Sequence, residues 1–276
     1  MSHACCTAGR SLVAKSLPPE VERAVRDFFG EYTDSIDPIR RDLVDAIRAG
    51  DIDPSSTGSV RTEVRRIAGH YTNDLEVVFQ SGTERGAQVG REVAGRRFNL
   101  DIAFDVVPQS TLDEFATWSE EAVGQTLDTI TDETTRFVRA AHEDGVGIDD
   151  LADQIHDDLF DGRLQDWQAD RTARTATIPS SNAGNHSAIE DSSAVGEEWL
   201  TTTDGRERET HGDADGQIVA VGNTFLVGGH EARYPGDPRL PLEEMVQCRC
   251  ALLPRFRDEL TDGEFARLES GERLNV

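Results

Sequence analysis

Apolar residues recur every three or four positions over the first two thirds of the chain. Val21, Val25 and Phe28 follow Pro18 and Pro19, a pattern that predicts a helix start. Ile36, Ile39, Leu43 and Ile47 repeat the spacing, with Asp and Arg on the opposite face, and stop at Gly50. They predict a second amphipathic helix. Val60, Val64, Ile67 and Tyr71 open a third segment that continues through Leu75, Val78 and Phe79. Residues 98–110 read as an extended break. A long helix is then predicted from Phe115, Trp118, Val123, Leu127, Ile130, Phe137, Val138 and Ala141, ending at Gly145. Ile148, Leu151, Ile155 and Leu159 mark a short helix whose aspartates form a solvated face. Residues 166–178 predict one more helix, and 179–185, with a proline, two serines and two asparagines, predict an interruption.

From Glu197 the period changes. Residues 199–203, 217–227 and 248–253 are strand-like and are separated by Gly- and Pro-containing turns. The expected architecture is α+β: a flexible arm at 1–17, a helical region at 18–193, a small α+β domain with a short sheet at 194–254, and a charged tail at 255–276. Gly82, Gly86 and Gly90 recur at intervals of four in the third helical segment. Flanking Glu and Arg residues exclude a membrane dimerisation face, which leaves a helix face that lets another backbone come close.

Charge changes the picture. The chain of 276 residues carries 53 acidic against 28 basic residues, a formal net charge of −25, and Lys15 is its one lysine. A surplus of Asp with arginine in place of lysine fits a host with a very salty cytoplasm, where a Debye length of roughly 3 Å near 1 M salt screens self-repulsion. No stretch is apolar enough for a membrane span, and no signal peptide is read. The cysteines fall in two close pairs, Cys5 with Cys6 and Cys248 with Cys250, rather than in a spaced disulfide framework, so synthesis in a reducing cytoplasm is expected. Cys5 and Cys6, with His3 nearby, read as part of a mobile arm, with metal binding as the alternative. The acidic balance argues against general nucleic-acid binding. A strip of Arg91, Arg96 and Arg97 leaves a local contact with packaged DNA open beside its reading as a solvated helix face.

The most informative stretch runs from Trp199 to Cys250. It sets out Trp199, then Asp204, Arg206, Arg208 and His211, then Asp215-Gly216, a proline-rich loop at 235–241, and Gln247-Cys248-Arg249-Cys250. This order resembles the phage Mu F-like head-morphogenesis proteins, or minor head proteins, over about 85 residues. The Arg171-Thr172-Ala173-Arg174-Thr175 segment is similar to the helix that precedes their C-terminal domain. Ala176 stands where a glutamate often follows in that family, and Gln247 where asparagine is usual. The resemblance implies a minor capsid protein of a tailed virus or provirus, located in the virion head. It would act in head assembly or in genome packaging and ejection near the portal. Its implied partners are the portal protein and the major capsid or scaffold proteins of the same virus.

Two chemical readings of the cluster stay open. His211, Cys248 and Cys250, with His230 as a fourth donor, are ligand types suited to zinc; two cysteines one residue apart share a face if they lie in a strand. Alternatively, the cysteines are small buried residues and the histidine locks a turn. Arg206, Arg208 and Arg249 are expected to pair with Asp204, Asp213 or Asp215 in a buried polar network. A nuclease or toxin-like enzyme built on Arg206, Arg208, His211 and Asp213 is the competing function. No second histidine at suitable spacing and no phosphate-binding loop accompany them, so the chain is expected not to be an enzyme.

Overall fold

The computed structural model describes residues 17–202 and 205–275, with side chains throughout except at 161–166. The arm with His3, Cys5 and Cys6, and the motif residue Asp204, lie outside the described residues. The helices are α1 (Pro19–Ala49), α2 (Thr57–Gly69), α3 (Thr72–Arg97), α4 (Gln109–Glu143) and α5 (Ile148–Gln154). A π-helical stretch (Ile155–Gln168) leads into α6 (Ala169–Glu190). Strands β1 (Gly196–Leu200), β2 (Gln217–Ala220), β3 (Phe225–Val227), β4 (His230–Ala232), β5 (Ala251–Arg255) and β6 (Leu274–Asn275) follow, with short helices α7 (Glu209–Ala214), α8 (Leu242–Met245) and α9 (Asp262–Glu269) among them. The α+β class stands.

Three boundaries differ from the expected ones. The first two predicted helices are one 31-residue helix, α1, with Pro38 inside it. Tyr32 is buried and joins the two apolar stripes, so Phe28, Tyr32, Ile36, Ile39, Leu43 and Ile47 form one unbroken buried ridge. That ridge outweighs the backbone hydrogen bond that proline forfeits. The third predicted segment is two helices, parted at His70 and Tyr71. The interruption predicted at 179–185 is instead helix, because α6 runs through Pro179 to Glu190. Its polar residues are helix residues whose side chains reach other backbones. Asn182 Nδ2 donates to the carbonyls of Pro235 and Cys250, both at 2.9 Å, and Asn185 Nδ2 donates to that of Leu252 at 3.1 Å.

The chain divides into two compact units. One comprises Arg26–Ser81 and Ala116–Ala173. Its centre is aromatic: Phe28 stacks on Tyr32 at 6.2 Å, and Phe79 meets their edges at 5.4 and 6.0 Å. Burial pushes the Tyr32 hydroxyl up to about pKa 12, so it stays neutral. Exposed ion pairs such as Arg61–Asp132 (2.8 Å) and Arg65–Asp128 (3.0 Å) decorate its surface.

The other unit comprises the residues through Val25, Gly82–Phe115 and Arg174–Val276. Its sheet is antiparallel in the order β5-β1-β2-β6, and β3 and β4 form a separate hairpin. All five residues of β1 are buried. Glu197 and Glu198 stand side by side in this strand with no exposure; Glu197 meets His186 of α6 at 2.8 Å, and Glu198 pairs with Arg255 of β5. The segment expected as a charged tail supplies α9 and β6, which bury Leu268 and Leu274 against Ile218.

The glycine spacing in α3 is explained within this unit. A Cβ on Gly90 would run into the backbone of Ser181, and one on Gly184 into the backbone of Ala87. The backbones of α3 and α6 therefore approach as closely as backbone atoms allow. Arg91, on the same helix, is 3% exposed and donates to Ser187 Oγ, the Ala103 carbonyl and Asp191. It is a buried structural residue and cannot touch packaged DNA, which corrects the arginine strip; Arg96 and Arg97 are exposed.

Candidate metal centre

The residues singled out in the sequence assemble around the end of β1. Trp199 has no exposure; its ring meets His211 edge-on at 5.7 Å and Phe225 at 5.5 Å. Its indole Nε1 donates to Thr201 Oγ1 at 3.2 Å, and that hydroxyl donates to the His211 carbonyl at 2.6 Å. Asp215 Oδ1 accepts from the Thr201 backbone at 2.8 Å, and the Gly216 N–H donates to the Trp199 carbonyl at 2.9 Å. Gly216 has φ +76°, a left-handed turn that glycine adopts at little cost. The Asp-Gly pair thus folds the chain back so that α7 presents His211 beneath the tryptophan.

The cysteines come from the opposite direction. They lie ahead of β5 rather than in it, as the sheet register begins at Ala251. Gln247 takes φ +54°, its N–H donating to Thr175 Oγ1 at 3.2 Å, and this left-handed kink turns Cys248 and Cys250 inward. Arg208 donates to the Val246 carbonyl, and Thr202 Oγ1 donates to the Arg249 carbonyl at 2.6 Å. The arginine motif therefore holds the cysteine loop by its backbone. Arg206 and Asp213 are exposed.

His211, Cys248 and Cys250 are all buried, and one donor atom from each lies within 4.8 Å of the other two. His211 Nδ1 is 3.3 Å from Cys250 Sγ and 3.7 Å from Cys248 Sγ. A hydrogen bond from Cys248, with His211 alongside, pulls the Cys250 thiol below its ordinary range. Cys248, donating that bond and buried, is pushed well above the ordinary thiol range. Two thiols beside an imidazole form a soft donor set. His230 is exposed, at the start of β4, and is not a member of the cluster. Glu244 takes its side: Oε2 lies 3.1 Å from His211 Nε2. Sequence spacing offered no sign of Glu244, since it sits in α8 among other acidic residues.

The cluster lies inside a stretch with known relatives. Residues 128–253 match the family described as Phage Mu protein F like protein. The uncharacterized protein YqbB of Bacillus subtilis (strain 168) is 28% identical to this chain over 193 residues, covering 66% of this chain and 62% of YqbB. The NAD(+)–arginine ADP-ribosyltransferase EFV of Enterococcus faecalis is 32% identical over 100 residues, 35% of this chain and 19% of that protein. The chain thus spans less than two thirds of the length of either relative. No solved structure matches it. Among the described residues, no helix is long and apolar enough to cross a membrane.

Proposed function

We propose that this chain is a minor head protein of a tailed virus, which acts in head assembly or in genome packaging and ejection near the portal. The Mu F-like match over residues 128–253 carries this reading. Its partners are the portal protein and the major capsid or scaffold proteins of the same virus, and its place is the virion head. The net charge of −25 with a single lysine supports a virus or provirus of a host with a salty cytoplasm.

The buried cluster supports zinc as the cofactor, in a structural role: His211, Cys248 and Cys250 tie α7 to the segment that enters β5. No turnover is assigned to the chain. His211 is 2% exposed, out of reach of a phosphodiester, which speaks against a nuclease centred on it. The transferase activity in the name of EFV is not transferred across a match to 19% of that protein.

Quantitative mass spectrometry of purified particles and procapsids tests the reading. A fixed ratio of this chain to portal subunits is expected; absence from both kinds of particle overturns it.

A further inference from the structure

Three donors would fit zinc, and what surrounds them says how they would do so; the argument rests on the zinc reading above. Zn–S bonds near 2.3 Å and Zn–N bonds near 2.05 Å in a tetrahedron put nitrogen and sulfur about 3.6 Å apart. The Nδ1 distances to the two sulfurs, 3.3 and 3.7 Å, bracket that value. Nδ1 would therefore be the coordinating nitrogen. Nε2 points away, buried, at ion-pair distance from Glu244 but not aligned as a hydrogen bond.

Glu244 is itself held. Thr210 Oγ1 donates to its Oε2 at 2.8 Å, and a Cβ at Gly228 would collide with its Oε1. The Glu244 side chain is 11% exposed and that of the histidine 2%. A buried carboxylate aimed at the far nitrogen of a ligating imidazole fixes the ring's tautomer and orientation. Beside His211 and Cys250 lies a cavity of about 20 Å³, whose lining includes Arg206, Glu207, Arg208 and Arg249. That is room for one water molecule.

We propose that zinc is held by His211 Nδ1, Cys248 Sγ and Cys250 Sγ, that Glu244 is the positioning residue that keeps the proton on Nε2, and that the fourth ligand is a water in the arginine-lined cavity. His230 takes no part.

The test is metal content and cobalt substitution of the full chain, purified in reducing buffer at high salt. Wild type is expected to bind one zinc per chain and, with Co²⁺, to show thiolate-to-cobalt charge transfer. H211A and C250S lose both signals, and H230A keeps both at full affinity. E244Q keeps the stoichiometry and binds about 10- to 100-fold more weakly. Failure of wild type to bind either metal overturns the zinc reading and this one together, and it needs no variant to fold. Metal bound normally in E244Q overturns the positioning role alone. Loss of all metal in E244Q, with circular dichroism unchanged, would make Glu244 a ligand and overturn the coordination proposed. H230A losing metal as fully as H211A would do the same. Particle content is measured separately, so the minor head reading stands or falls on its own.

Discussion

The unit of Arg26–Ser81 and Ala116–Ala173 and the unit containing the sheet use opposite interiors. The first is organised around Phe28, Tyr32, Phe79 and Trp118, with ion pairs such as Arg61–Asp132 and Arg65–Asp128 on its surface. The second buries charges and amides: Glu197, Glu198, Asp237, Asn182 and His186 are each under 9% exposed. Apolar packing tolerates change of shape, provided volume is kept. Buried polar groups demand a specific partner, and leaving one without its bond costs about 1–3 kcal/mol. The helical unit is thus built for robustness and the sheet unit for a single geometry, the one that brings His211 to the cysteines.

Substitutions can break that comparison. Phe79→Ala should have the largest effect, about 3–5 kcal/mol, because it empties the aromatic centre. Chemical denaturation would measure it, and a cost under 1 kcal/mol would show that the helical unit does not depend on this centre. Asn182→Leu should cost about 2 kcal/mol or more, since it removes the donor to two buried carbonyls. The same measurement at several salt concentrations should give nearly the same cost, as the bonds are buried.

Asp237 sharpens the contrast through pH. Burial alone would raise its pKa, but bonds from Arg233 and Arg239 overcome that and hold it well below the ordinary carboxylate range. A depressed folded pKa contributes stability above the unfolded value, near pH 4, that is lost as pH falls through it toward the folded value. Thermal unfolding midpoints should therefore drop below about pH 4, and by less in Asp237→Asn than in wild type. Equal drops would remove Asp237 from the account. Arg65→Ala should have the smallest effect, about 0.2–1 kcal/mol at low salt and less in molar salt, because its pair with Asp128 is exposed.

Much of the helical unit was legible from period alone, because an apolar stripe at 3.6-residue spacing has one way to bury itself. The trace failed between Phe28 and Ile36, where buried Tyr32 carries the stripe on, and at 179–185, where proline and short polar side chains normally signal a loop. Sequence shows the type of Asn182 but not its partners, which lie 53 and 68 residues further on. Of the candidate site, His211, Cys248 and Cys250 were readable from residue type and order. Glu244 was not, since one glutamate in an acidic chain carries no mark until its neighbours are known. His230 was drawn in by residue type, and its place in an exposed hairpin strand removes it.

The long reach of α6 has a consequence for how the chain is made. A ribosome completes Asn182 and Asn185 well before it reaches Pro235, Cys250 and Leu252, whose carbonyls they bind. Until those residues emerge, the helix carries amides with no native partner, so its final seating waits for the last part of translation. Native pairings of such high sequence separation close slowly, and the unfinished intermediate exposes surface that other chains can capture. The interval between making α6 and making β5 is therefore the period in which this chain most needs to be left alone.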